Sequence, residues 1–369
     1  MVSPGDTEVV SGGAAEREPA GLGTPLRLFM LAVIVLVASV GVSYRFGVAR
    51  ASRQSSVPVL AADQPRIIPI PGGHPSGGGV AAGSIWVMTY DGYVVRVNPN
   101  DNSVDARIRV GQGPLAVRAG FGSVWVTNGD DGTVTRIDPA TNRVVGVIPV
   151  GPVPYELAPA GGGMWVATQT AAVRIDPATN LVDLEVTLPL PPQTVAPDTA
   201  GVGLAADEHG VWVSTAVGTV LRLSPTDGRL LAEIRILPDN HTQPGAVAID
   251  GDLVWVSNFR VTGTGAGTPR YGEGLGVVAI SAASNQIVQH VSSAGYPISG
   301  LLPHNGTVFM VGEIYKSNAS VLMRADWPYQ VLTSLRPVGG RSFDVLAAAG
   351  SLWVPSWDAN ELYRLPPSG

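Results

Sequence analysis

The sequence predicts an all-β protein: a seven-bladed β-propeller closed by an N-terminal outer strand and preceded by one transmembrane helix. Three observations predict it. An aromatic phrase recurs seven times, an orphan strand precedes the first repeat, and an uncharged run precedes both.

The elements follow in chain order. Residues 1–25 are rich in Gly, Ala, Pro and Glu and carry no hydrophobic period, which reads as a disordered tail. Residues 26–48 hold the membrane element. From Leu28 to Tyr44 the chain has no charge between Arg27 and Arg45. As a helix this run spans about 26 Å, close to the hydrocarbon core of a bilayer. The competing readings are a cleaved signal peptide, whose apolar region is usually shorter, with Ala49-Arg50-Ala51 as the small-x-small site, and a buried helix. Arg17 and Arg27 precede the run while Arg45, Arg50 and Arg53 follow it. That count leans against export, but large domains translocate despite such a bias. The expected product is a single-pass signal anchor in the cell membrane with an extracytoplasmic domain. Residues 49–64 read as a linker, and 65–369 as the propeller.

The repeat is a glycine, one or two residues, an aromatic and then usually Val. Its aromatics are Trp86, Trp125, Trp165, Trp212, Trp255, Phe309 and Trp353, at steps of 39, 40, 47, 43, 54 and 44 residues. A period near forty built from short strands is that of a propeller blade. Residues 107–150 show one full unit, with Ala116–Ala119 as inner strand, Ser123–Asn128 second, Thr133–Ile137 third and Val144–Val150 outer. Gly122 and Asp131-Gly132 mark the hairpin turns, and Asp138-Pro-Ala-Thr-Asn142 the third. Val124-Trp125-Val126 is apolar on both faces, as a blade covered on both sides requires. The tryptophans are therefore expected to pack blade against blade. The last repeat stops after three strands, at Glu361–Leu365, while Arg66–Ile70 resembles the outer strands ending in Val110 and Val150. It is expected to complete the final blade and remove the open edge.

Composition narrows the function classes. The 369 residues carry a net charge of −6, only 14% are charged, and Lys316 is the one lysine, so no basic stripe marks a nucleic-acid binder. There are no cysteines, which removes disulfides, thiolate nucleophiles and Cys-ligated zinc. The Arg-over-Lys and Ala/Gly/Val/Pro bias points to a high-GC bacterial genome.

Val124-Trp-Val-Thr-Asn128, Val254-Trp-Val-Ser-Asn258 and Gly132-Thr-Val-Thr-Arg-Ile-Asp-Pro-Ala-Thr-Asn142 resemble the YVTN β-propeller repeats. The resemblance covers residues 66–365 and implies the fold far more than a function, since such repeats serve in surface-layer proteins, binding proteins and a few enzymes. The streptogramin lyases, enzymes of similar ring architecture, use a divalent cation with paired His and Glu and tend to place Thr-Glu after the aromatic strand. Here those positions hold Thr89-Tyr90, Thr127-Asn128, Ala167-Thr168, Ser214-Thr215 and Ser257-Asn258, a departure from that chemistry.

Candidate site residues fall on the end of the ring that carries the outer-to-inner and second-to-third connections. The longest insertion, Phe259 to Leu275, holds Arg260, Arg270, Tyr271 and Glu273. Its Gly263–Thr268 run lacks the Gly-Lys-Ser/Thr of a phosphate loop. His241 enters blade five; Glu313 and Tyr315 lie in blade six; Arg341, Asp344, Trp357 and Asp358 belong to blade seven. Blades two and three look plain by comparison. Of the five histidines, only His74 and His241 reach this end, and no pair has metal-ligand spacing on one element. No catalytic residue and no cofactor is predicted; His241 and Glu313 are the only candidates for a divalent cation. Arg96, Arg136, Arg174, Arg222, Arg324 and Arg364 recur in the third strands, with heads expected toward water or a nearby acid. The expected role is a monomeric module binding a protein or small molecule, with a metal-dependent lyase or hydrolase and a structural envelope protein as alternatives.

Overall fold

The computed structural model describes residues 65–189, 203–236, 242–261, 271–314, 319–326 and 334–366, with backbone alone at 242–243, 261, 271–273, 313 and 334–337. The predicted tail, membrane span and linker lie outside these residues. Among the described residues no helix is long and apolar enough to cross a membrane.

The described residues form seven four-stranded antiparallel sheets. The strand β1 (Arg66–Pro69) comes first and stands apart. Blade one follows as β2 (Pro75–Ala81), β3 (Ser84–Thr89), β4 (Tyr93–Val97) and β5 (Val104–Arg109). Blade two is β6 (Pro114–Gly120), β7 (Ser123–Asn128), β8 (Thr133–Asp138) and β9 (Arg143–Pro149). Blade three is β10 (Glu156–Ala160), β11 (Gly163–Ala167), β12 (Ala171–Asp176) and β13 (Leu181–Thr187). Blade four is β14 (Leu204–Ala206), β15 (Val211–Ser214), β16 (Thr219–Leu223) and β17 (Leu230–Arg235). Blade five is β18 (Thr242–Asp250), β19 (Leu253–Val261), β20 (Tyr271–Ser281) and β21 (Gln286–Val291). Blade six is β22 (Ile298–His304), β23 (Thr307–Glu313), β24 (Ala319–Asp326) and β25 (Ser334–Gly339). Blade seven is β26 (Leu346–Ala348), β27 (Ser351–Ser356) and β28 (Glu361–Leu365), completed by β1. Each inner strand touches those of the blades on either side, β26 against β2 included, so the ring is closed.

Closure follows the expected strand. β1 pairs with β28 in the register Arg66↔Arg364 to Pro69↔Glu361. Ile68 and Ile70 are buried with Trp353, Leu362 and blade one's Ile85, whereas Ile67 points outward at 51% exposure. The alternation that places Ile68 inward is the period of two of any strand.

Seven apolar clusters fill the seven junctions, each joining the aromatic of one blade to the next blade's second and third strands. Trp86 packs with Val124, Val126 and Ile137; Trp212 with Val254, Val256, Val278 and Ile280; Phe309 with Leu352, Val354 and Leu365. The six tryptophans of the repeated phrase are fully buried. The indole N–H of Trp86, Trp125 and Trp353 donates to the carbonyl five residues earlier, satisfying the polar atom that burial would otherwise strand.

The recurrent arginines do more than the sequence suggests. Each is the direct cross-strand partner of its blade's aromatic, as in Trp86↔Arg96 and Trp125↔Arg136. The guanidinium of Arg136 sits 4.7 Å from the Trp125 ring, and its Nε donates to Ser123 Oγ at 2.9 Å. Its Nη1 donates to the Pro177 carbonyl and to Asn180 Oδ1, both in the third-to-fourth turn of the next blade. Arg96 reaches Pro139 and Asn142 in the same way, Arg222 reaches Ala282 and Asn285, and Arg364 reaches Pro99 and Asn102 across the seam. Arg174 meets the carbonyls of Pro225 and Thr226. The Nη1 group therefore faces a neighbouring turn instead of water, and Arg174 also pairs with a nearby acid, Asp183, at 2.9 Å. Asp138 Oδ1 takes the Ala140 N–H, and Asn142 closes the turn at φ 57°.

The predicted Phe259–Leu275 loop is shorter than the sequence implies. β19 runs on to Val261 and β20 starts at Tyr271, with Phe259↔Gly274 and Val261↔Tyr271 still paired. Two register shifts carry the hairpin past the ring, and Gly276, at φ 98°, lies where a Cβ would strike the Val291 carbonyl. Residues 262–270 lie outside the described residues.

Candidate functional site

The two ends of the ring differ in kind. At the lower end, which carries the first-to-second and third-to-fourth turns, the same arginine latch repeats from blade to blade. At the upper end the contacts are singular, and that is where a site can be individual.

Around the seam between blades seven and one, four aromatic rings converge. Trp357 follows β27 and is 8% exposed. His74 stacks on it with centroids 4.8 Å apart, Tyr90 leans against it at 5.4 Å, and Phe343 meets it edge-on at 5.7 Å. The His74 ring Nδ1 lies 3.1 Å from the Trp357 carbonyl, which selects the tautomer protonated there. The His74 backbone N–H donates to Asn360 Oδ1 at 2.8 Å. His74 is exposed and adopts φ 61°, so a left-handed residue carries the outermost ring of the stack. Burial and then the charge of Asp130 raise the Tyr90 phenol above its ordinary value.

Beside the stack, Arg341 grips Asp358 with two bonds, Nε to Oδ2 at 2.9 Å and Nη2 to Oδ1 at 2.6 Å. The Arg341 backbone N–H adds a third at 3.0 Å. These bonds hold the Asp358 carboxyl below the usual carboxylate range. The Trp357 backbone N–H donates to the Arg341 carbonyl at 2.8 Å, so Arg341, Trp357 and Asp358 form one unit.

Asp344 belongs elsewhere. It enters β26 and joins a second group on the inner strands around the channel. Its Oδ2 accepts the N–H of Gly78 in blade one at 3.2 Å, and its Oδ1 that of Val345 at 2.8 Å. Gly77 and Gly78 leave room for this crossing; a Cβ on Gly77 would lie 3.3 Å from the carboxylate. Arg118 of blade two donates Nη1 to Val117 and, at 3.4 Å, to Gly78, and Nη2 to Glu156 of blade three at 2.8 Å. One arginine thus stands between two carboxylates. Glu156 keeps 23% of its side chain accessible. Desolvation raises both carboxyls above their ordinary values, and Arg118 opposes the rise without cancelling it.

Of the candidates read from the sequence, Arg341, Trp357 and Asp358 lie together and Asp344 lies apart, and Arg118 and Glu156 beside it were not among them. Arg118 and Glu156 come from the blades that look plain in their loops. Their signal is columnar: opposite the aromatic, Arg118 stands where other inner strands carry Gly79, Ala158, Ala205 and Ala248. Glu156 likewise stands where others carry Gly77, Ala116 and Gly203. Arg260 lies exposed near the end of β19, paired with Thr242 in backbone register. Tyr271 and Glu273 open β20, and Glu313 ends β23 opposite Ser320. His241, Arg270 and Tyr315 lie outside the described residues. Among the described residues no three His, Asp or Glu side chains gather as a metal-ion group.

No protein-family model matches the chain, and no curated protein does. Solved structures do. A chain of the Kuenenia stuttgartiensis hydrazine synthase superposes with a TM-score of 0.65 at 13% identity, over 84% of this chain and 97% of that one. The Neurospora crassa Pan2 WD40 domain gives 0.63 at 11% identity, over 85% and 98%. A chain of the mitotic checkpoint complex gives 0.62 at 14%, over 84% and 97%. The likeness is one of fold. This is a seven-bladed β-propeller, and the solved structures share that architecture.

Proposed function

We propose that the chain is a membrane-anchored, extracytoplasmic binding module that engages a protein or small-molecule ligand at its upper end. The observation that carries this reading is the contrast between the two ends. The lower end repeats one structural contact, whereas the upper end concentrates the non-repeated groups, namely the Trp357 stack, the Arg341–Asp358 pair and the extended β19–β20 hairpin. A rigid ring with individual loops at one end separates stability from recognition, as binding surfaces on rigid scaffolds do. The uncharged run from Leu28 to Tyr44 supplies the anchor, and residues 49–64 the tether. The YVTN-like phrases fit an envelope protein of bacterial origin.

The test uses site-directed photocrosslinking in intact cells that express the full-length chain. A crosslinker at Arg260 or Asp358 is expected to trap a partner or ligand that one at Asn142, on the lower end, does not. Tyr271→Ala is expected to reduce the trapped product while leaving the melting temperature unchanged. Equal products from both ends would refute the assignment. Protection of the ring from protease added to spheroplasts would refute the extracytoplasmic orientation.

A further inference from the structure

The aromatic stack and the channel charges meet on the same two elements. The segment from β1 to β2 crosses the blade seven–one seam and is held by Asn360 of blade seven. The Asn360 carbonyl accepts the Ile70 N–H at 2.9 Å, and its Oδ1 accepts the His74 N–H at 2.8 Å. His74 ends this segment, stacked on Trp357. Four residues further along, Gly78 engages the channel charges with both of its main-chain groups. Its N–H donates to Asp344 Oδ2 at 3.2 Å, and its carbonyl accepts from Arg118 Nη1 at 3.4 Å. On blade seven the two points are closer still, because Phe343, which meets Trp357 edge-on, immediately precedes Asp344. The Asp344 carboxyl is therefore tied to the Trp357 stack from both sides of the seam.

The strand between these contacts is adaptable. β2 reads Pro75-Ser-Gly-Gly-Gly-Val-Ala81, and no other inner strand among the described residues holds three consecutive glycines. Glycine is permissive in backbone conformation and weakens a strand interior. The carboxyl decides how this strand is held. Ionised, Asp344 accepts the Val345 N–H with Oδ1 at 2.8 Å and the Gly78 N–H with Oδ2. A proton on Oδ2, the oxygen with the longer bond, turns an acceptor into a donor facing another donor, and the tie across the seam is lost. Burial raises this carboxyl above its ordinary value, with Arg118 opposing.

Resting on the reading of the upper end as the ligand end, we propose that Asp344 is a proton-operated clasp on the blade seven–one seam: its ionised form draws β2 to blade seven, seats His74 on Trp357 and holds the upper end in its binding arrangement. The charged and titratable groups around the clasp are few among the described residues. Arg118 on β6 and Glu156 on β10 act on it. β2, β26 and β27 carry none, and β22, packed against Asp344 at Gly300, carries only His304 at its far end. At the stack stand His74, Tyr90, Arg341 and Asp358, with Asp130 acting on Tyr90. The Gly78 bond is local to the seam, so ionisation tightens this contact even though the buried charge costs the whole ring stability.

The test is fluorine NMR of the full-length chain labelled with fluorotryptophan, with the Trp357 resonance assigned by W357F and followed through a pH titration. The resonance is expected to move in a step whose midpoint lies above the ordinary aspartate value of about 3.9. D344N offers one acceptor and one donor, as the protonated acid does, and is expected to lose this step and keep only those of the groups at the stack. R118Q removes the opposing cation and is expected to raise the midpoint. A D344N titration equal to the parent's overturns the proposal. So does an unmoved midpoint in R118Q, which decides the matter if D344N fails to fold. Binding is read separately by the photocrosslinker at Arg260, in blade five and away from the seam. Its product in spheroplasts is expected to fall about fivefold or more when the medium is acidified, and to stay low at every pH in D344N. A product that ignores pH beside an intact fluorine step overturns the regulation. No product at any pH refutes the ligand end instead, and the fluorine step then decides the clasp alone.

Discussion

Ring closure by β1 can be tested at one side chain. Ile68 is 5% exposed within the blade seven–one cluster, and Ile67, one residue earlier on the same strand, is 51% exposed. Ile68→Ala removes three buried carbons and leaves a cavity between Trp353, Leu362 and Ile85, at a cost of about 2–5 kcal/mol. Unfolding a ring of this size carries an entropy near 0.6 kcal/mol per kelvin, from about 2.1 cal/mol/K per residue. A loss of ~3 kcal/mol therefore lowers the melting midpoint by about 5 °C. Ile67→Ala is the control: it has the same strand propensity and the opposite face, with an expected change within about 0.5 kcal/mol. Calorimetry on both variants, with amide exchange on β28, reads the result. A midpoint for Ile68→Ala within 1 °C or so of the parent, or an equal fall for Ile67→Ala, would show that β1 does not close the ring.

The latch and the two charge groups give further expectations. Arg136→Gln severs a charged donor from two acceptors and from the Trp125 ring, and is expected to lower the midpoint by about 2–4 °C and to expose the Asn180 amide to exchange. Arg118→Gln leaves Glu156 and Asp344 facing the channel without their cation, so it is expected to destabilise at pH 7 by about 2 kcal/mol. Both carboxyls are raised, so the folded state holds protons the unfolded one has lost, and stability falls as pH rises through their folded values. The Arg118→Gln defect should shrink in denaturant titrations carried down through that window; a defect independent of pH would argue against the charge account. Asp358 behaves oppositely. Its carboxyl is lowered by Arg341, so the pair stabilises above the ordinary carboxylate range and is lost as pH falls through the folded value. Because Asp358 remains 26% accessible, Asp358→Asn is expected to cost only ~0.5–1 kcal/mol at pH 7 and nothing near pH 2.

What was legible in the sequence was what repeats locally. The aromatic phrase, the Asp-Pro-Ala-Thr-Asn turn and the β1 strand each carry their information within a few residues, and the structure places them as the spacing implies. The latch was half legible: the arginine column is plain, but its acceptor lies one repeat onward, as Pro139 is to Arg96. A reading confined to one blade sends such a head to water or to a nearby acid, and it finds the acid at Arg174, paired with Asp183, but not the turn beyond. Asp344 was found for its charge and assigned to the loop face, although its partners Gly78 and Arg118 belong to two other blades. Long glycine-rich stretches also mislead, since β20 keeps its pairing through Gly274 despite the residue's poor strand propensity.

The pairing of β1 with β28 also orders the birth of the molecule. The first strand made must wait for the last, because every rung from Arg66↔Arg364 to Pro69↔Glu361 joins opposite ends of the chain. At about 5–20 residues per second, ribosomal synthesis of the ring leaves Ile68 and Ile70 without their cluster for roughly 15–60 s. A chain cut short anywhere before Leu365 lacks part of the partner strand, and so cannot complete its final sheet. The seam thereby couples the ring's stability to finished synthesis, and an interrupted product keeps its edges open to degradation.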